Sequence, residues 1–259
     1  MIYATDLDRT IIFSSKFIDN KENIVCVEKK ENDPISYMTT EAISKLKELK
    51  EKNNLKIIPI TTRSLEQFKR VEPVQDCEFA ITSNGGIILK NGEILETWQK
   101  YIESILNNYK EDFEILEKYI LKFKDCYEKE PKRIDNTFVF MKLLNDEDKI
   151  KEILTQIDNE LDKSKWAFTL QGLKLYIIPK EINKENALLY LKEYLKEDII
   201  ITSGDGKLDY NFLKVGNIRI IPENSEVLNY LENDFTYETV SEGLDGTIEL
   251  FEIIEKQAS

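Results

Sequence analysis

The chain has 259 residues, 41% of them hydrophobic, which is enough for one or two buried cores. Lysine and arginine number 36 against 49 aspartates and glutamates, and the resulting net charge of −13 disfavours nucleic-acid backbones and anionic membrane surfaces as partners. The absence of histidine excludes Ser-His-Asp and Cys-His catalysis, phosphohistidine chemistry and every His-ligated zinc site, and leaves acid–base work to carboxylates, lysine, tyrosine or cysteine.

The chain opens on an apolar run, Ile2–Thr5, which reads as a buried strand. An acid at Asp6 cuts this run short of signal-peptide length, and no later run nears the roughly 18 apolar residues of a membrane span. Three cysteines, Cys26, Cys77 and Cys126, form no CxxC pair and suit a reducing compartment, so a soluble cytoplasmic protein is expected. Residues 24–39 read as a β-hairpin around Glu31–Pro34, placed to overhang the end of the first strand. Thr40–Lys52 has helical spacing, with Ile43, Leu46 and Leu49 along one side. Leu55–Ile60 and Phe79–Thr82 are further apolar strands, and Asn91-Gly92 is a hairpin turn.

The rhythm then changes. One long helix is expected from about Tyr101 to Lys124, followed by strands near Cys126–Glu130 and Thr137–Leu144, a helix over Asp146–Lys163, and strands Trp166–Leu170 and Leu173–Ile178. After Asn183, a candidate helix cap, the alternation resumes with a helix burying Ala187, Leu188, Leu191 and Leu195 and strands Ile199–Thr202 and Ile218–Ile221. The pattern predicts an α/β core with a mostly parallel sheet, residues 1–84 and 179–259, interrupted by an α+β unit at 85–178.

Four chemical clusters punctuate this order. Asp6 and Asp8 stand two apart in DLDRT after the first strand, and an extended chain points them the same way. Thr61, Thr62 and Arg63 follow the second strand, where a hydroxyl and a backbone N–H at a helix start can hold a phosphate oxygen. Lys184 opens a helix and could offset acids while binding phosphate as a point charge. Asp205 and Asp209 follow Ile199–Ser203 in GDGKLD. Ligands of open α/β sheets lie beyond the carboxyl ends of strands, and acids crowded there call for a hard cation, Mg²⁺ by preference. Each cluster alone also has an ordinary meaning: a solvated turn, a helix cap, a surface lysine.

The order of the four resembles the haloacid dehalogenase-like (HAD) phosphohydrolase superfamily, whose successive motifs match DLDRT, Thr61 in ITTRS, Lys184 in INKENALLYL, and GDGKLDYNFL. The Asn-Gly-Gly segment before an αββαββ unit resembles that superfamily's type-two, sugar-phosphatase-like cap. The resemblance implies a HAD-like Rossmannoid core carrying a cap, and a Mg²⁺-dependent phosphatase acting through an aspartyl-phosphate on a small phosphorylated metabolite, with sugar phosphates among the candidates. It implies Asp6 as nucleophile, Asp8 as acid and base, and Thr61 and Lys184 as phosphate binders. Mg²⁺ would be held by Asp6, the Asp8 carbonyl and Asp205, with Asp209 acting through water or by orienting the lysine. Thr10, Thr62, Arg63, Asn84 and Gly85 are further candidates for the phosphate or substrate, and Arg133, Lys142 and Lys174 for the leaving group. Arg9, Thr62 and Leu208 depart from residues frequent in the family. DLDRT, the early hairpin and GDGKLDYNFL together resemble HAD proteins of tellurium-resistance and stress-response gene clusters. A phosphomutase of the same superfamily and a phosphate-binding regulatory protein without turnover stay open as alternatives.

Overall fold

A computed structural model describes residues 1–18 and 23–258. Five parallel strands form the main sheet, in the order Tyr237–Glu238, Ile218–Ile221, Ile200–Ser203, Ile2–Thr5, Lys56–Pro59. The first strand is therefore central, with Thr5 level with Ser203 on one side and Pro59 on the other. All four residues of Ile2–Thr5 are buried, as a strand covered on both faces requires. On one face, Tyr3, Ile57, Ile201 and Ile220 join a core with Leu46 and Leu49 of helix Thr40–Lys50 and with Leu250, Phe251 and Ile254 of helix Gly243–Gln257. Thr39 caps the earlier helix by accepting from Ala42 N at 3.0 Å.

Phe79–Thr82 was expected in the parallel sheet and belongs elsewhere. It heads a separate antiparallel sheet with Ile87–Lys90 and Glu93–Ile94, and touches the main sheet through one parallel bridge, Ile60 to Ile81. The short Ser83–Gly86 turn folds the chain straight back onto itself, which favours local antiparallel pairing over a longer ladder with Lys56–Pro59. Asn91 and Gly92 both have positive φ, 50° and 81°, the type I′ geometry that asparagine and the Cβ-less glycine tolerate. Ile24–Lys30 and Asp33–Thr39 form the expected hairpin, joined by Phe13–Ser14.

The chain divides into two compact units, Met1–Leu95 with Lys184–Ser259, and Glu96–Asn183. The first division falls later than the expected 84/85 because the hairpin through Asn91-Gly92 pairs with Phe79–Thr82 in the first unit, and the second falls at 183/184 instead of 178/179. The second unit is α+β: helices Glu96–Asn108, Lys110–Ile120 and Glu147–Glu160, and an antiparallel sheet ordered Trp166–Gln171, Lys174–Pro179, Phe138–Lys142, Lys132–Ile134. Two expectations fail inside it. The long helix breaks at Tyr109, whose φ is −101° and ψ 1°. The break lets the Tyr109 and Phe113 rings both meet Trp166 edge-on, with centroids 5.2 and 4.9 Å away, and sets the Tyr109 hydroxyl 2.7 Å from Glu181 Oε2. The strand expected at Cys126–Glu130 is reduced to one bridge, Tyr127 to Leu143. Its place is taken by Lys132–Ile134, which begins after Pro131, a residue with no N–H to give a ladder, and turns back through Asp135 and Asn136 at positive φ.

Candidate active site

The carboxyl ends of three neighbouring strands carry the site. Asp6 N donates to Ser203 O at 2.9 Å and Ile60 N to Thr5 O at 2.7 Å, so the residues beyond these strands start from adjacent points. The Lys184 ammonium, 2% exposed, lies 2.5 Å from Asp6 Oδ1 and 2.6 Å from Asp209 Oδ1. The Phe212 ring is 5.3 Å from the same nitrogen. Asp209 Oδ2 accepts the backbone N–H groups of Asp205 and Gly206 at 3.1 and 2.8 Å. Its two oxygens are therefore committed to orienting Lys184 and the Gly204–Gly206 turn. Gly204 is needed there: a Cβ on it would stand 2.8 Å from Asp209 Cβ.

Ligand oxygens of Asp6, Asp205 and Asp209 all lie within 4.8 Å of one another, and all three residues are buried. Asp205 Oδ2 pairs with Arg9 Nε at 2.9 Å, while Asp6 Oδ2 and Asp205 Oδ1 have no hydrogen-bond donor among the described residues. Burial raises the Asp6 carboxyl to about 7, with the Asp209 charge adding to it and Lys184 opposing. Burial, then Asp6 and Asp209, push Asp205 well above the usual range. Burial alone would lower Lys184, but Asp209 and Asp6 outweigh it and hold the ammonium charged. All-oxygen donors with excess negative charge and open lone pairs suit a hard divalent cation such as Mg²⁺.

Asp8 lies outside this trio. The strand ends at Thr5, and Leu7–Ile12 is a tight turn in which Arg9 N donates to Ile12 O and Ile11 and Ile12 N to Leu7 O. The Asp8 carboxylate, 51% exposed, is gripped by Arg63, with Nε 2.7 Å from Oδ2 and Nη2 2.8 Å from Oδ1. Arg63 N donates to the buried Thr61 Oγ1 at 3.1 Å. Ser83 N and Asn84 N donate to Arg63 O and Thr61 O, tying the ends of two strands together. Ser83, Asn84 and Gly85 all take positive φ, 53°, 58° and 98°, so a buried turn of unusual backbone conformation lies beside Thr61. Thr10 is buried, its hydroxyl without a partner among the described residues, and Thr62 is half-buried. In the second unit Arg133 pairs with Glu117 and lies on the Phe113 ring, Lys142 pairs with Glu128, and Lys174 is exposed on its strand.

Two features escaped the sequence. Arg9, noted only as a departure, is a counter-ion of Asp205. Glu28, inside the hairpin, meets Arg63 Nη1 at 2.7 Å and Arg70 at 3.3 Å. The charge pattern RSLEQFKR showed cations, but nothing in the local sequence marked Glu28 as their partner.

A central parallel strand ending in an acid, a second acidic turn beside it, and an inserted α+β unit define a HAD-like fold. The family model described as sucrose-6F-phosphate phosphohydrolase matches residues 1–240, and the chain belongs to that family, whose members are phosphoric monoester hydrolases of the HAD type. Solved structures agree in fold. The sucrose-phosphatase of Synechocystis sp., solved with sucrose and phosphate, is 16% identical with TM-score 0.69, covering 98% of each chain. A haloacid dehalogenase-like hydrolase from Bacteroides thetaiotaomicron is 14% identical with TM-score 0.63, again over 98% of each. A trehalose-6-phosphate phosphatase related protein is 15% identical with TM-score 0.61, over 99% of this chain and 98% of that one. No curated protein matches, and these matches carry no link to tellurium resistance. Among the described residues no helix is long and apolar enough to cross a membrane.

Proposed function

We propose that this phosphatase hydrolyses a small sugar phosphate through a phosphorylated Asp6, with Mg²⁺ as cofactor. The observation that carries the mechanism is the buried Asp6 carboxylate at the end of the central strand, held by Lys184 at 2.5 Å. Membership of a family described by a sugar-phosphate reaction supports the substrate class.

The Asp6 carboxylate attacks phosphorus, and the bond to the leaving oxygen breaks. Asp8 gives that oxygen a proton, then takes one from water as the water cleaves the aspartyl-phosphate and returns Asp6. Lys184 and the Thr61 hydroxyl hold phosphate oxygens, while the turn at Ser83–Gly85 braces Thr61. Asp6, Asp205 and the Asp8 carbonyl would hold Mg²⁺, with Asp209 orienting Lys184. When bound, Mg²⁺ screens the carboxylates from the phosphate and stabilises charge on the transferred group. The free cysteines support a reducing, cytoplasmic setting.

The test is phosphate release from sucrose 6-phosphate, trehalose 6-phosphate, hexose phosphates and nucleotides, with Mg²⁺ or EDTA. Wild type should be active only with Mg²⁺ and favour a sugar phosphate, and Asp6→Asn should be inactive. Equal activity in EDTA or in Asp6→Asn would overturn the mechanism. A preference for nucleotides would overturn the substrate class.

A further inference from the structure

Glu28 occupies an unusual place for a carboxylate. It is 1% exposed in a strand of a surface hairpin, and the buried residue before it, Val27, should by alternation leave it facing solvent. Irregularities on either side of Glu28 break the register with Asp33–Thr39. Bulges of this kind re-aim side chains, and here Val27 and Glu28 both turn inward. A bridge from Glu28 to Val71 pins the strand at that point.

The inward carboxylate is fully engaged. Its Oε2 takes Arg63 Nη1 at 2.7 Å and the Ser36 hydroxyl at 2.7 Å, and its Oε1 takes Arg70 Nη2 at 3.3 Å. Ser36 Oγ also accepts from Arg63 Nη2 at 3.2 Å. Arg63 therefore spends one edge of its guanidinium on Glu28 and Ser36. Its other edge, Nε and Nη2, grips both oxygens of Asp8. A guanidinium is planar and rigid, so fixing one edge fixes the other. The hairpin thus reaches Asp8 through a chain of charge-assisted bonds, Glu28 to Arg63 to Asp8.

We propose that Glu28 is a positioning residue for the reaction. By holding the Arg63 guanidinium it sets where the Asp8 carboxylate lies, and it so couples the hairpin to proton transfer at the leaving oxygen. This rests on Asp8 being the group that protonates that oxygen. A hairpin that merely covered the site would need no buried charge. A buried anion bonded to two arginines is costly to assemble, and hydrophobic packing would hold a hairpin as well.

Leaving groups of different basicity provide the test. An alkyl phosphate needs its leaving oxygen protonated, whereas p-nitrophenolate departs without help. The quantity read is kcat/KM, which ends at release of the leaving group and so omits the water step. In Glu28→Gln, kcat/KM for an alkyl phosphate should fall about tenfold or more, a part of what a general acid contributes. For p-nitrophenyl phosphate it should change less than about threefold. Ser36→Ala, a milder cut in the same chain, should shift the ratio in the same direction and serves if Glu28→Gln does not fold. In an Asp8→Asn background the Glu28→Gln change should no longer alter the ratio, since residues acting in series are not additive. Equal losses on both substrates would reduce Glu28 to structural support and overturn the inference alone, as would a persisting ratio change in Asp8→Asn. A wild type that hydrolyses neither substrate would overturn the phosphatase mechanism and this inference with it.

Discussion

Metal-free protein should become less stable as pH rises through the weakly acidic range, contrary to the usual behaviour of surface carboxylates. The Asp6 carboxyl is held at about 7, against 3.8 for an ordinary aspartate, chiefly by burial. The folded state therefore binds the proton more tightly than the unfolded chain does. The stabilisation is fully present below the unfolded value and is lost as pH climbs from about 4 to about 7. Each pKa unit is worth about 1.4 kcal/mol, so the whole loss from this one group is about 4 kcal/mol, of which about 2 kcal/mol falls between pH 5 and pH 7. Other carboxylates titrate too, so the assay compares wild type with Asp6→Asn by urea unfolding in EDTA. The wild-type minus variant stability should drop by about 2 kcal/mol from pH 5 to pH 7. Millimolar Mg²⁺ should flatten that drop, because a cation bound only by the folded state favours the ionised carboxylate. A difference that stays level, or rises with pH, would refute the claim that this carboxylate is a buried, under-compensated charge.

Two substitutions probe the same charges from their neighbours. Arg9 already has φ of 61°, so Arg9→Gly fits the backbone and removes the cation 2.9 Å from Asp205. The loss of about 1 kcal/mol of competing ion pair should tighten Mg²⁺ binding about fivefold by calorimetry, and unchanged affinity would show that Arg9 does not compete. Gly204→Ala should push Asp209 off Lys184, because the new Cβ would lie 2.9 Å from Asp209 Oδ2. Phosphate release should fall about a hundredfold as Lys184, the proposed phosphate binder, loses its orientation, and activity within twofold of wild type would show that the turn can yield.

What could be read from the chain follows from how local each signal is. Ile2–Thr5 and Ile200–Ser203 are short, mostly apolar runs, and Asp6 directly behind Thr5 and Gly204-Asp205 behind Ser203 announce the strand ends. Asn91-Gly92 declares its own turn chemistry. Asp135-Asn136 declares it as well, but more weakly, and the apolar Cys126–Tyr127 pair drew the expected strand to the wrong side of Pro131. Tyr109 looked like one more apolar position on a continuous helical face. Only Trp166, far along the chain, reveals why the helix bends there. Glu28 was illegible for the same reason. Its partners Ser36, Arg63 and Arg70 are brought to it by a bulge that no local pattern records.

The charge balance of the buried cluster explains why a lysine suits position 184. Its ammonium must meet single oxygens of two different aspartates, 2.5 and 2.6 Å away, with the Phe212 ring close by. A compact point charge can do this, while the planar fork of arginine is shaped for two oxygens of one carboxylate, the task Arg63 performs on Asp8. With Asp6, Asp205 and Asp209 ionised, Lys184 and Arg9 leave one negative charge in excess, and Arg9 is the more exposed of the two cations. In that ionised state the proposed divalent cation would remove the excess and then exceed it, turning the cluster from one that repels phosphate into one that attracts it. In a chain without histidine, this arrangement separates the labours of its carboxylates. On the proposed mechanism the buried Asp6 and Asp205, crowded and raised, answer to the cation, and the half-exposed Asp8, held by arginine instead, exchanges protons.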